Sequence, residues 1–278
     1  METVVGKRVL VTGAAMGMGR LFAERAVAER ASDVVLWDIN GDQLAVTAKE
    51  LSGGDAEIRT DVVDVGDHTS VADAAAAVTD ALGGVDVLVN NAGVVRGNHF
   101  FWETDQERDI AFTMEVNALG PMMVARAFLP GMIETDGECR LVNLASAAGL
   151  TANPRMASYA ASKWAVVGWS ESVRLELEQA GHDHVRVTTV CPYYVKTGMF
   201  DGAKSAPLLP LLEPAEVVDE TWRAMTRGRP FVVMPRTVLL SEALKGIVPL
   251  WMRDFLAGRV FGIYHTMDDF QGHADQPS

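Results

Sequence analysis

Cysteine is nearly absent from this chain of 278 residues, which holds only Cys139 and Cys191. Two cysteines build no disulfide framework, and neither stands at metal-ligand spacing from a partner, so a reduced, cytoplasmic setting is expected. Positive charge is scarce too: 24 Lys and Arg against 37 Asp and Glu leave a net charge of -13. Such a surface repels phosphate backbones and anionic headgroups, which argues against nucleic acid or an acidic membrane as partner. No basic start leads into an apolar run and a small-residue cleavage site, so no export signal is read. The most apolar segment, residues 238–256, is interrupted by Glu242, Lys245, Pro249, Arg253 and Asp254. A spanning helix needs about 20 apolar residues in a row. A lid or docking surface is expected there instead, and no integral membrane segment. What remains is an ordinary soluble composition, 49% hydrophobic and 22% charged, suited to one domain over residues 1–278 and too apolar for extensive disorder.

Residues 7–12 (KRVLVT) read as a short strand that ends in the turn Gly13-Ala-Ala-Met16-Gly17-Met18-Gly19, and helical periodicity follows over residues 20–30. Glycines let backbone approach a pyrophosphate closely, while the first turn of a helix offers free N–H groups and partial positive charge. The spacing G-x-x-x-G-x-G differs from the common G-x-G-x-x-G, and a glycine turn alone is a weak signal. Its place between strand and helix strengthens it. A second strand, residues 33–37, ends at Asp38. A carboxylate there accepts hydrogen bonds from both hydroxyls of an adenine ribose and repels a 2'-phosphate, and residues 39–43 hold no Arg or Lys to reverse that preference. The predicted cofactor is NAD.

Strands and helices then alternate: helix 42–51, strand 57–62, helix 69–82, strand 85–89 running into Asn90-Asn91-Ala92-Gly93, a helical stretch 105–134, strand 139–144, helix 156–178, and strands 185–190 and 231–234. This rhythm predicts an α/β fold, a single-domain Rossmann-type doubly wound parallel sheet of about seven strands with helices on both faces. Ligands bind beyond the carboxyl ends of such strands. Asn117 is a poor mid-helix residue, so a local kink or a polar task is expected. Ser146 follows the fifth strand at the crevice. Tyr159 and Lys163 share one face of their helix, so phenol and ammonium can converge. A phenol ionises at about 10 in water, and an ammonium beside it is expected to bring that value down. The pair alone also describes an ordinary amphipathic helix with a snorkelling cation. His182-Asp183-His184 reads as a solvated turn, and no metal site is expected.

Jointly, Thr12-Gly13-x-x-x-Gly17-x-Gly19, Asp61-Val62, Asn90-Asn91-Ala92-Gly93, Asn117, Ser146, Tyr159-x-x-x-Lys163 and Pro192-x-x-Val195-x-Thr197 resemble the short-chain dehydrogenases/reductases, in that family's order over residues 5–235. The resemblance implies that Tyr159 is the general acid/base, that Lys163 lowers its pKa and holds the nicotinamide ribose, that Ser146 binds the substrate oxygen, and that Asn117 holds a relay water. It also implies cofactor contacts: Gly13, Met16, Gly17, Met18 and Gly19 around the pyrophosphate, Asp61 and Val62 at adenine, Asn90, Ala92 and Gly93 near the adenosine ribose, and Val195 and Thr197 at the carboxamide. A homodimer or homotetramer follows by the same analogy.

Many members of that family have Pro-Gly where this chain has Pro192-Tyr193. Tyr193 and Tyr194 are therefore expected to line the substrate cleft, with the packing of one of them against the sheet left open. Loop 198–213, through Leu208, Leu209, Leu211 and Leu212, and the extension 236–278 are expected to choose the substrate, or else to bury against a neighbouring subunit. Phe100, Phe101 and Trp102 add aromatic surface near the rim. The extension is loosely similar to that of retinol- and long-chain-alcohol-type members, which favours a hydrophobic secondary alcohol and its ketone. Trp251, Met252 and Phe255 are expected to cover the cleft, or to meet a membrane or a second subunit. Two alternatives stay open: an NAD(P)H-dependent carbonyl reductase or isomerising relative, and a non-catalytic nucleotide-sensing protein. The complete set of Asn117, Ser146, Tyr159 and Lys163 argues against the second.

Overall fold

The computed structural model describes residues 1–200, 202–204, 209–245, 247–260, 262–267 and 270, without the side chains of residues 240, 241 and 244. Leu208 lies outside the described residues. The apolar runs become β1 (Arg8–Thr12), β2 (Asp33–Asp38), β3 (Glu57–Val62), β4 (Val87–Asn90), β5 (Cys139–Leu144), β6 (Val185–Pro192) and β7 (Phe231–Met234). They form one sheet in the order β3-β2-β1-β4-β5-β6-β7, with every pairing parallel. β4 and β5 are buried at every position. Strands covered on both faces read as continuous hydrophobic runs, which is why the pattern along them does not alternate.

Helices α1 (Gly17–Ala28), α2 (Gly41–Leu51) and α3 (His68–Leu82) connect the first strands. Asn40 caps α2 by accepting from the Gln43 N–H, and Asp67 caps α3 by accepting from Thr69, each satisfying an orphan donor of the first turn. Between β4 and β5 runs a continuous helix, Gln106–Glu134, in which the single turn α4 (Phe112–Met114) lies between two π turns and leads into α5 (Gly120–Glu134). Then come α6 (Ala157–Gln179), α7 (Pro214–Thr226), α8 (Val238–Lys245) and α9 (Leu250–Phe255).

Successive strand residues point to opposite faces, so β1 feeds two cores. Val9 and Val11 join Phe22 of α1, Leu44 of α2 and Trp222 of α7. Leu10 joins Val71 of α3, Val124 and Phe128 of α5 and Leu177 of α6. By length and composition alone Gln106–Glu134 would cross a bilayer, but Val124, Ala125, Phe128 and Met132 are spent on that second core. Strand order reverses direction between β1 and β4, and the crevice of a doubly wound sheet opens at such a switch point. The glycine turn after β1 and the Asn90–Gly93 segment after β4 therefore face each other there.

Candidate active site

The glycine turn is shaped by close approach. Gly13 and Gly17 have φ of 65° and 58°, the left-handed region that glycine adopts without a Cβ penalty. A Cβ on Gly13 would stand 2.9 Å from the Ala92 Cα, and one on Gly19 would overlap the Gly13 carbonyl oxygen. The turn is pinned from β4: Asn91 Nδ2 donates to the carbonyls of Thr12 (2.9 Å) and Gly13 (3.2 Å), while Thr12 Oγ1 accepts from the N–H groups of Asn91 and Ala92 at 3.0 Å each. Thr47 donates to the Ala15 carbonyl from the far side at 2.7 Å. No side chain caps α1, whose N-cap is Met16. Its first N–H groups are left without a side-chain cap beside a turn that only glycine lets pack this closely on itself and on the segment after β4, an arrangement that suits a pyrophosphate.

Asp38 ends β2 with its carboxylate accepting from the Ala15 N–H and the Asn40 N–H, both at 2.9 Å. Each carboxylate oxygen keeps a free lone pair for a ribose hydroxyl. Asp61 accepts from the Trp37 indole at 3.1 Å, fixing the adjacent strand end, and Val62 is 65% exposed beside it. Asn90 spends its side chain inside the sheet. Its side chain is buried and donates to Asn143 Oδ1 (2.9 Å) and the Pro121 carbonyl (3.2 Å), so it ties β4 to β5 and does not face the crevice. At the other end, Thr197 comes within 3.9 Å of a Cβ built on Gly17. Val195, 3% exposed, pairs with Leu212. The segment after β6 thus closes the groove over the glycine turn.

The four polar residues expected at the reaction centre do come together. Asn117 lies in the second π turn, where its Oδ1 accepts from the Val94 N–H and its Nδ2 donates to the Val94 carbonyl, both at 2.8 Å, with Ser162 Oγ at 3.2 Å. The break in helical bonding thus has a polar cause. Gly93 sits beside it, its would-be Cβ 3.2 Å from Asn117 Oδ1 and 3.6 Å from Lys163 Nζ. Lys163 Nζ donates to the Leu144 carbonyl at 3.0 Å. Ser146 Oγ accepts from the Ala148 N–H at 3.1 Å and donates to the Pro192 carbonyl at 3.4 Å, and it stands near enough to the Tyr159 phenol to favour its ionised form.

The electrostatics correct one expectation. Tyr159 and Lys163 are 4% and 5% exposed. Burial is the largest influence on both: it pushes the phenol well above its ordinary value, against the pull of Ser146, and brings the ammonium down to about 8. The net direction at the phenol is thus upward, opposite to the expected one. The Lys163 Nζ stands 5.7 Å from the ring centre, anchored to Leu144.

Around the phenol the wall is aromatic and thioether. Met156, Tyr159, Tyr194 and Met267 form one buried cluster, with Val95, Ala148, Tyr193, Phe200 and Leu211 packed on it. Phe200 meets the Tyr159 ring edge-on at 6.0 Å and the Tyr194 ring at 5.0 Å. Both tyrosines after Pro192 stand beside the cleft, their rings 4.4 Å apart, with Tyr194 in the wall and Tyr193 bridging to a second cluster that includes Leu209 and Val238. Leu212 spends its backbone on Tyr194 and Lys196. Trp251 and Phe255 do not cover the phenol, being 71% and 54% exposed on α9. Phe101 and Trp102 are exposed, with Trp102 stacked on Phe100 at 4.9 Å. Among the described residues no His, Cys, Asp and Glu cluster could hold a metal, and His184 faces the Ile133 carbonyl.

Sequence reasoning missed Asn91 as the tie on the turn, and Asn153, Phe200, Thr266 and Met267 around the cleft. Asn91 was visible inside its motif. The others carry no local pattern.

Comparison with known proteins agrees with this geometry. A profile of the family described as short chain dehydrogenase matches residues 7–207. Epidermal retinol dehydrogenase 2 of Homo sapiens is 35% identical over 272 residues, covering 97% of this chain and 86% of its own length. Retinol dehydrogenase 10-A of Danio rerio is 36% identical over 275 residues, covering 89% and 80%. A short chain dehydrogenase/reductase from Burkholderia phymatum in complex with NAD superposes with a TM-score of 0.80 at 30% identity, over 88% of this chain and 95% of that one. A metagenomic short-chain oxidoreductase in complex with NADP gives 0.68 at 29% identity, over 82% and 95%. The chain belongs to the short-chain dehydrogenase/reductase family, and is an oxidoreductase with a site for a nicotinamide dinucleotide.

Proposed function

We propose that this enzyme uses NAD to interconvert a hydrophobic secondary alcohol and its ketone. The observation that carries the reading is the burial of the Tyr159 phenol together with Ser146 and Lys163, enclosed by Met156, Tyr194, Phe200 and Met267. A hydroxyl and a phenol can grip one substrate oxygen, and the apolar wall accepts a hydrocarbon body. The retinol dehydrogenases among the relatives support an alcohol as substrate. Asp38 supports NAD, since a second negative charge from a 2'-phosphate would face its carboxylate.

The cradle from Gly13 to Gly19, Asp38, Gly93, Val195 and Thr197 would hold the dinucleotide, with Lys163 at the nicotinamide ribose. When bound it would supply the hydride acceptor and, in its oxidised form, a positive charge that favours the Tyr159 phenolate. Tyr159 takes the proton of the substrate hydroxyl during oxidation and returns it during reduction. Ser146 donates to the substrate oxygen as charge develops on it. Lys163, beside Gly93, exchanges the proton onward, and Asn117 keeps that corner in shape by clamping Val94.

Replacing Tyr159 by Phe tests this. Loss of the acid/base group should lower NADH formation from a secondary alcohol by about 10²-fold or more, with NAD affinity kept within a few-fold by calorimetry. Undiminished turnover in that variant would refute the role of the phenol.

A further inference from the structure

Three segments far apart in sequence meet at one hydroxyl. Asn153, from the loop after β5, donates through Nδ2 to Tyr194 Oη at 2.7 Å and to Thr266 Oγ1 at 3.2 Å. Tyr194 Oη lies 3.1 Å from Thr266 Oγ1, and Thr266 donates to the Ile263 carbonyl at 2.9 Å. A hydroxyl has one proton and two lone pairs. With its proton given to Ile263, Thr266 accepts from both Asn153 and Tyr194, and the ring of three closes in one sense only. The other candidate acceptor for the Tyr194 proton is the Met156 sulfur at 3.6 Å, a weak one. Thr266 is 2% exposed and Tyr194 5%, so water cannot replace these bonds cheaply.

What this hydroxyl holds is the wall over the phenol. The Thr266 carbonyl accepts from the Lys204 N–H at 2.9 Å, joining the loop after β6 to the tail. Its neighbour Met267, 2% exposed, packs in the cluster of Tyr159 and Tyr194. Phe270 meets Phe200 at 6.5 Å, and Phe200 meets Tyr159. The Tyr159 phenol is sealed in this arrangement, and the described part of the tail that seals it is anchored by side-chain hydrogen bonds through Thr266.

We infer that Thr266 is the positioning residue of the substrate site: it holds Tyr194, Met267 and the loop after β6 against Tyr159, and so sets which alcohols fit. The kinetic half of this inference rests on the alcohol–ketone reading. The conformational half does not.

The test compares wild type with Thr266→Val, which keeps the shape and removes the acceptor, and Thr266→Ser, which keeps both proton and lone pairs. In hydrogen–deuterium exchange Thr266→Val should speed the Lys204 amide and residues 262–267 by about tenfold or more, with β4 and β5 unchanged, because two buried donors lose their acceptor. With NAD and the probes 2-butanol and 2-octanol, the kcat/KM ratio should move toward the longer alcohol by about fivefold through KM, kcat staying within about twofold, as a change confined to binding requires. Thr266→Ser should restore both. Unchanged exchange, exchange accelerated equally throughout the sheet, an unmoved ratio, or failure of Ser to rescue would each overturn the inference. If wild type oxidises neither probe, the alcohol reading falls while the exchange experiment still decides the role of Thr266.

Discussion

Lys163→Met should stabilise the protein in neutral solution while removing its activity. The ammonium is 5% exposed and its pKa falls from 10.5 to about 8 through burial. Each unit of difference between folded and unfolded chain corresponds to about 1.36 kcal/mol, so holding the charged form inside costs about 3 kcal/mol at pH 7. Methionine has similar reach and no charge, but it leaves the Leu144 carbonyl, now bonded at 3.0 Å, without its donor, at about 1–2 kcal/mol. The net gain is therefore about 1–2 kcal/mol. The pH dependence separates this account from generic repacking. Below pH 8 both folded and unfolded chains carry the proton and the full cost is present. Between about 8 and 10.5 the folded chain has released the proton that the unfolded chain retains, so stability rises with pH. Urea denaturation at pH 7 and 9.5, on wild type and variant without added cofactor, isolates Lys163 because other groups cancel in the difference. The advantage of the variant should shrink by about 2 kcal/mol between the two pH values. A difference that does not depend on pH, or a variant less stable than wild type at pH 7, would refute the desolvation argument.

Two further changes probe the cofactor groove. Asp38 should give wild type a preference for NAD over NADP of about tenfold or more in kcat/KM, and Asp38→Asn, which keeps an acceptor for Ala15 or Asn40 but no charge, should narrow it. A wild-type preference for NADP overturns the assignment. Gly19→Ala puts a methyl onto the Gly13 carbonyl oxygen and 2.6 Å from Asn91 Nδ2, so stability should drop by about 1–3 kcal/mol and NAD affinity should weaken with it. Calorimetric titration beside a urea melt reads both, and an unperturbed pair of values would show that the turn has slack.

Most of the sheet was legible because strands such as β4 and β5 are buried on both faces and stand out as apolar runs between turns. The glycine turn and the Tyr159–Lys163 spacing were legible because each is local. Two neighbouring asparagines were not, since one residue type fills both positions and only the strand end separates them: Asn90 is still in β4 and turns to Asn143, while Asn91 is past it and reaches Thr12 and Gly13. In the tail, bulk left two readings open, a cover over the cleft or a surface for a membrane or a second subunit. Trp251 and Phe255 are exposed, so the cover over the phenol is made by Met267 beside Thr266. Asn153 and Thr266 are 113 positions apart, a separation no periodicity can bridge.

The inverted electrostatics at Tyr159 have the same origin. Four residues of helix bring two side chains to one face, but a shared face does not fix where their ends go. Lys163 ends at the Leu144 carbonyl, over the Tyr159 ring at 5.7 Å from its centre, and both groups are buried. Burial opposes whichever form is charged, so it favours the neutral phenol and the neutral amine together. Ser146 pulls the other way, favouring the phenolate, but burial outweighs it. If Tyr159 is the acid/base proposed above, proton transfer would draw on positive charge brought close to the phenol from outside the pair, and a phenol that stays protonated until then would be held as an acid, ready for a carbonyl oxygen.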